Sequence, residues 1–209
     1  MLFPSFAVAA LRSLSYYCSA SVMVIPALLL TERPNISNHR VVENPVGNEC
    51  QGQNLTDAAH LTRVNLSTGE FERTLQLRSP HGLAIAGNAA YICEFGARAL
   101  TRVDLAAPYC CKERVTALYS PSGCAVGHQT AYVVEQGESN GALVSVALTS
   151  GAKTTLLSGL AAPMGVAVVG DFVYVGERGE NRVRRMPIGG GEVEVVAEDL
   201  NSPIGLSPC

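Results

Sequence analysis

Ser79-Pro80-His81-Gly82-Leu83-Ala84-Ile85 decides the fold, because it returns along the chain. It stands again as Ser120-Pro121-Ser122-Gly123-Cys124-Ala125-Val126 and as Ala162-Pro163-Met164-Gly165-Val166-Ala167-Val168. It begins once more at Ser202-Pro203-Ile204-Gly205-Leu206. The prolines are 41, 42 and 40 residues apart. Nine residues after each of the first three glycines comes a second block: Tyr91-Ile92-Cys93-Glu94, Tyr132-Val133-Val134-Glu135 and Tyr174-Val175-Gly176-Glu177. A third block follows at 100–105, 143–148 and 183–188, with an earlier copy at Leu61-Thr62-Arg63-Val64-Asn65-Leu66. Three blocks in step at one period mark a repeat architecture.

Each period carries four short apolar runs, 83–86, 90–95, 100–105 and 114–118 in one copy and 166–169, 172–175, 183–188 and 193–197 in another. Runs of four to six residues rich in Val, Ile, Leu and Tyr, bounded by Gly, Asn and Asp, predict strands. No apolar pattern at helical spacing is sustained. Ala86-Gly87-Asn88-Ala89 and Val169-Gly170-Asp171-Phe172 read as tight hairpins, because Gly, Asn and Asp tolerate the positive φ such turns need. Proline suits a strand's first position, where its missing N–H is not needed, and the nearby glycine permits close backbone approach.

Four antiparallel strands per period is the sheet unit of a β-propeller, which buries its two faces only by stacking on neighbours. The motif set resembles the NHL and YWTD type of six-bladed propeller, gluconolactonase relatives included. In that family Pro-x-Gly-apolar-Ala-apolar opens the inner strand and Tyr-apolar-x-acid closes the next. The acid here is Glu where the family usually carries Asp, and the chain has no Trp. The resemblance covers about residues 40–209 and implies an all-β propeller of four-stranded antiparallel blades. About three and a half to four blades are present, an incomplete ring.

The expected organisation is a signal peptide or anchor at 1–30, a divergent first blade at 31–78, blades at 79–119, 120–161 and 162–201, and one further strand at 202–209. In the divergent blade Val41-Val42-Glu43 stands for the Tyr-apolar-x-Glu block, with an insertion from Asn44 to His60. An open ring has three explanations: a fragment of a longer product, pairing with another chain, or closure as four blades. The fragment reading is preferred.

Composition narrows the function. The 209 residues are 47% apolar and 16% charged, which excludes a disordered chain. A formal charge of −3 provides no field to hold nucleic acid. The seven cysteines form no zinc-like or haem-binding spacing. Cys93 and Cys124 lie in apolar runs and read as buried reduced thiols, whereas the adjacent Cys110 and Cys111 read as free or paired elsewhere. Arg12 precedes an apolar stretch at 13–30, as in a secretory signal or membrane anchor. Sequons at Asn35, Asn54 and Asn65 are glycosylation candidates. The expectation is a secreted or luminal protein. The competing readings are a cytoplasmic fragment and a first strand at Ala27-Leu28-Leu29-Leu30.

The candidate site residues are Glu43, Glu94, Glu135 and Glu177, which end equivalent strands on one face of the disc. Such carboxylates could hold a divalent cation through hard oxygen ligands. The structural reading, that each accepts amides of the following turn, is preferred, because a role repeated in every blade is structural. His81 is a further candidate, since its position is Ser122, Met164 and Ile204 in the other copies. His128 falls in a solvent-facing turn. Arg178, Arg182, Arg184 and Arg185 form a basic cluster on what alternation suggests is a solvated strand face. No nucleophile triad, phosphate loop or nucleotide fingerprint occurs. The resemblance also implies a metal site of one Glu, Asn residues and an Asp in the lactonase relatives, a set not readable here. The expected function is therefore a module that binds a protein or small ligand on a propeller face, with no cofactor. The alternative is a hydrolase or lactonase using calcium, magnesium or zinc.

Overall fold

The computed structural model describes residues 27–32, 59–65, 68–105 and 112–207. Within them lie fifteen strands and no helix. The first sheet holds β1 (Ala27–Glu32), β2 (Ala59–Asn65) and β3 (Phe71–Leu77). The second holds β4 (Pro80–Ala86), β5 (Ala89–Glu94), β6 (Ala99–Asp104) and β7 (Lys112–Ala117). The third holds β8 (Pro121–Gly127), β9 (Thr130–Glu135), β10 (Gly141–Ala147) and β11 (Lys153–Leu160). The fourth holds β12 (Pro163–Val169), β13 (Phe172–Glu177), β14 (Arg182–Pro187) and β15 (Glu194–Ala197). Every sheet is an antiparallel meander in chain order.

Both faces of a sheet are apolar, and this drives the sheets to stack. Successive residues of a strand point to opposite faces. Ala90, Ile92 and Val103 of the second sheet accordingly pack on Leu61, Leu75 and Leu77 of the first. From the other face Ala84, Tyr91, Cys93 and Leu100 pack on Cys124, Ala131, Val133 and Val144 of the third. The same alternation sends Tyr132, Val134 and Leu143 against Val166, Val173, Val175 and Met186 of the fourth. The sheets fan around a hub where β4, β8 and β12 run side by side, and among the described residues the ring is open. Cys93 and Cys124 are free, buried thiols at one of these interfaces, as the apolar runs around them indicate.

The Pro-x-Gly motif is explained at the hub. A Cβ on Gly82 would meet the Ser122 carbonyl oxygen at 2.6 Å, and one on Gly165 would meet that of Ile204 at 3.1 Å. A Cβ on Gly123 would collide with the carbonyl oxygen of Met164. Each glycine thus faces the middle residue of the next copy's motif, so only a residue without a side chain lets neighbouring inner strands approach. The hairpins expected at Gly87 and Gly170 are present, closing Ala86 on Ala89 and Val169 on Phe172. His128 and Gln129 make the matching turn of the third sheet with φ of 51° and 59°, the double left-handed geometry of a type I′ hairpin with no glycine at its two central positions.

The first sheet departs from the sequence reading. β1 pairs Ala27 with Asn65 and Glu32 with His60, as β5 pairs Ala89 with Asp104 and Glu94 with Ala99. Glu32 therefore stands in this register where Glu94 stands in the second sheet. Residues 27–30, read as the end of a signal or anchor, form most of a strand, as the competing reading has it. Glu43, Asn35, Asn54, Cys110, Cys111 and residues 1–26 lie outside the described residues.

Candidate functional site

In the second, third and fourth sheets the second strand ends in a glutamate, Glu94, Glu135 and Glu177, whose side chain reaches the link that enters the sheet. Three carboxylates then repeat one geometry. Glu94 accepts the Arg78 N–H at 2.6 Å, Glu135 the Tyr119 N–H at 2.8 Å, and Glu177 the Ala161 N–H at 2.9 Å. Each donor sits two residues before its sheet's Pro-x-Gly proline. The amides of the following turn, expected as the partners, are used otherwise. Phe95 and Gly96 donate to the carbonyls of Ser79 and Arg78, while Arg178 and Gly179 donate to those of Ala162 and Ala161. Turn and link are clipped together, and the carboxylate takes the remaining link N–H. A buried donor left unpaired would be costly.

The cations that balance these carboxylates differ from sheet to sheet. Lys112 lies 3.2 Å from Glu94, and Lys153 lies 3.4 Å from Glu135. In the fourth sheet Arg182 and Arg184 hold Glu177 at 2.6 and 2.7 Å. Burial pushes the Glu177 carboxyl up, but the Arg182 hydrogen bond, the Ala161 amide and Arg184 more than reverse this and leave it below the usual carboxylate range. Two members of the basic cluster are thus committed inside the sheet. Arg185 alone fits a solvated strand face, pairing with Glu194 and lying 4.6 Å over the Phe172 ring. Arg178 is exposed. Each described carboxylate is held within its own sheet, and among the described residues no group of three His, Cys, Asp or Glu side chains is placed to hold a metal ion together.

Two features on this end of the molecule break the repeat. At the hub, the half-buried His81 stacks on Phe95 with ring centroids 5.1 Å apart. The equivalent positions in the third sheet are Ser122, whose hydroxyl donates to the Met164 carbonyl at 3.3 Å, and Gln136, whose amide meets the Met164 sulfur at 2.8 Å. His128 is exposed, its ring nitrogen 3.4 Å from the Gly170 carbonyl.

The second feature is a cleft of about 520 Å³ between the first and second sheets, lined among others by Gln76, Arg78, Glu94, Thr101, Lys112 and Arg114. Glu94 lies at its floor, 1% exposed, with Thr101 donating to it at 2.6 Å. Lys112 spans the cleft from Glu94 to the Gln76 carbonyl at 3.2 Å. Arg114 donates to the Arg98 carbonyl at 3.3 Å. Strand register makes Tyr119 and Thr155 the counterparts of Arg78 and Arg114 in the third sheet, and Ala161 and Val195 those in the fourth. Among the described residues, the second sheet is the one where Arg78, Lys112 and Arg114 line a single cleft with a buried carboxylate. Sequence reasoning found Glu94 but missed its companions, because Arg78, Lys112 and Arg114 converge through strand pairing and share no motif.

No protein-family model and no curated protein matches the sequence. Solved structures match its fold. A chain of the nidogen–laminin complex crystal structure aligns with a TM-score of 0.66 and 16% identity, over 72% of this chain and 61% of that one. Virginiamycin B lyase from Staphylococcus aureus aligns with a TM-score of 0.57 and 17% identity, over 71% of this chain and 53% of that one. The present chain spans less than two thirds of either. At such identities the likeness is one of fold, and the chain is a partial β-propeller of four-stranded blades.

Proposed function

We propose that this propeller is a binding module that holds an acidic group of a protein or small ligand in the cleft between its first two sheets. The observation that carries this reading is the asymmetry of Arg78, Lys112 and Arg114. The glutamates recur with the fold, while among the described residues these cations line a cleft at one blade. Charge-assisted hydrogen bonds from guanidinium groups suit a carboxylate, and the Thr101 hydroxyl adds a polar wall. Fluorescence anisotropy with a labelled hexaglutamate peptide tests it. Saturable binding is expected, weakened about tenfold by Arg114→Ala and again by Arg78→Ala, and weakened further by salt. Peptide that fails to saturate at millimolar concentration would refute the reading.

The hydrolase alternative needs a carboxylate oxygen able to join a divalent cation. Both oxygens of Glu94 already accept hydrogen bonds, from Arg78 N–H, Thr101 and Lys112. This favours binding over catalysis. Calorimetric titration with calcium, magnesium and zinc decides between them: heat of binding that disappears in Glu94→Gln would restore the hydrolase. The same module is proposed to act outside the cytoplasm, and glycopeptide mapping at Asn35, Asn54 and Asn65 tests that placement.

A further inference from the structure

We infer that Cys93 and Cys124 are a disulfide-forming pair, a modification site at which a small-molecule disulfide oxidant joins the second sheet to the third.

The repeat itself creates the pair. Cys93 is the residue before Glu94 at the end of β5, and Cys124 follows Pro-x-Gly in β8, so both places are fixed by repeated landmarks. The same two positions one blade further on are Val134 and Val166, which share one apolar cluster between the third and fourth sheets. Cys93 and Cys124 share the equivalent cluster between the second and third sheets, among Tyr91, Leu100, Val133 and Val144. Positions that the architecture brings together across an interface thus carry two thiols here, where two valines stand at the next. They are the two cysteines of the described residues.

The thiols meet across the interface. The two side chains are hydrogen-bond neighbours. The Cys124 Sγ–H also points at the Tyr91 carbonyl, 3.5 Å away and two residues from Cys93 on the same strand. Cys93 is 0% exposed and Cys124 6%, so the closed interface leaves each sulfur facing packed protein and not solvent. Bond formation draws the sulfurs to about 2 Å and removes a weak S–H donor, so the Tyr91 carbonyl gives up little.

The co-reactant is a disulfide such as oxidised glutathione. The Cys124 thiolate, from the less buried thiol, attacks one sulfur of the reagent, breaks its S–S bond and expels one small thiolate. The Cys93 thiolate then attacks Cys124 Sγ in the mixed disulfide and expels the second. The two protons lost by the cysteines end on the two small thiols, and two electrons pass from the pair to the reagent. Burial, then the Cys124 contact, keeps Cys93 protonated while the sheets are closed. The exchange therefore runs before the third sheet docks on the second, or when their interface opens. Once made, the bond closes the loop from 93 to 124 and restricts the unfolded chain.

Refolding tests this. The full chain, reduced and unfolded in urea, is refolded in a buffer of reduced and oxidised glutathione, alkylated, and digested with trypsin without reductant. Tryptic peptides 79–98 and 115–153 carry one cysteine each, Cys93 and Cys124. Mass spectrometry is expected to find these two peptides joined, lighter by two hydrogens than their sum. Recovery of both as alkylated peptides, or of either joined to a different cysteine or to glutathione, overturns the proposal without requiring any variant to fold. The urea midpoint of the oxidised chain should also exceed that of the same chain after reduction, and the difference should shrink in Cys124→Ala. A midpoint unmoved or lowered by oxidation, or a difference as large in Cys124→Ala, overturns it as well.

Discussion

Glu177 concentrates the local physics of this molecule in one side chain. It is fully buried, and it is held by one amide and two guanidinium groups. Glu177→Gln strands the charges of Arg182 and Arg184, and its cost in urea unfolding at pH 7 is expected to be about 3 kcal/mol. Because the folded carboxyl sits below its unfolded value, its stabilisation is full above that unfolded value and is lost as pH falls through the folded one. The gap between wild type and variant should therefore shrink on acidification, and equal midpoint differences at pH 7 and pH 3 would contradict it. Cys93 behaves in the opposite sense. Burial first, then the Cys124 thiol and the charge of Glu135, push it well above the ordinary thiol range. Only thiolate reacts with iodoacetamide, so peptide mapping should find Cys93 unmodified in the native chain at pH 8 and modified in urea. The position of the glutamates was legible because it recurs with the tyrosine before it. Their cations were not, since Lys112 and Lys153 reach across from the fourth strand while Arg182 and Arg184 replace them from the third.

The inner strands make their own prediction. Gly123 faces a main-chain oxygen that cannot step aside, so Gly123→Ala should cost about 3 kcal/mol, the upper end of overpacking. Gly87 has open space around it and a φ of 56°, so Gly87→Ala should cost only about 1 kcal/mol from backbone strain. Chemical denaturation of both variants checks the order. Strand positions were readable wherever the period held, because apolar runs in the inner strands and glycine-bounded hairpins leave few alternatives. The reading of Val41-Val42-Glu43 falls outside the described residues, and the strand found at Ala27–Glu32 was harder to place for a physical reason. Twenty-six positions, 33–58, lie between these two paired strands in sequence, and a separation of that length erases the spacing on which a repeat is recognised without preventing the pairing of Ala27 with Asn65.

Stability in a stack of sheets is a sum of sheets and their interfaces. The second and third sheets are covered on both sides, whereas the fourth leaves Val169, Val195 and Val196 over 40% exposed. Hydrogen exchange should therefore be slowest in β5, β9 and β10 and fastest in β15, and a uniform profile would show a cooperativity that neighbour contacts do not predict. The chain's apolar share and low charge content excluded a disordered chain, but they gave no hint that basic side chains would line one cleft, since that depends on which strands become neighbours. The carboxylate latch also bears on how the protein is made. Each glutamate closes on an amide sixteen positions upstream, so its partner has always left the ribosome first. Synthesis can accordingly seal one blade for about every forty residues extruded, and a nascent chain held in an optical trap should shorten in regular steps.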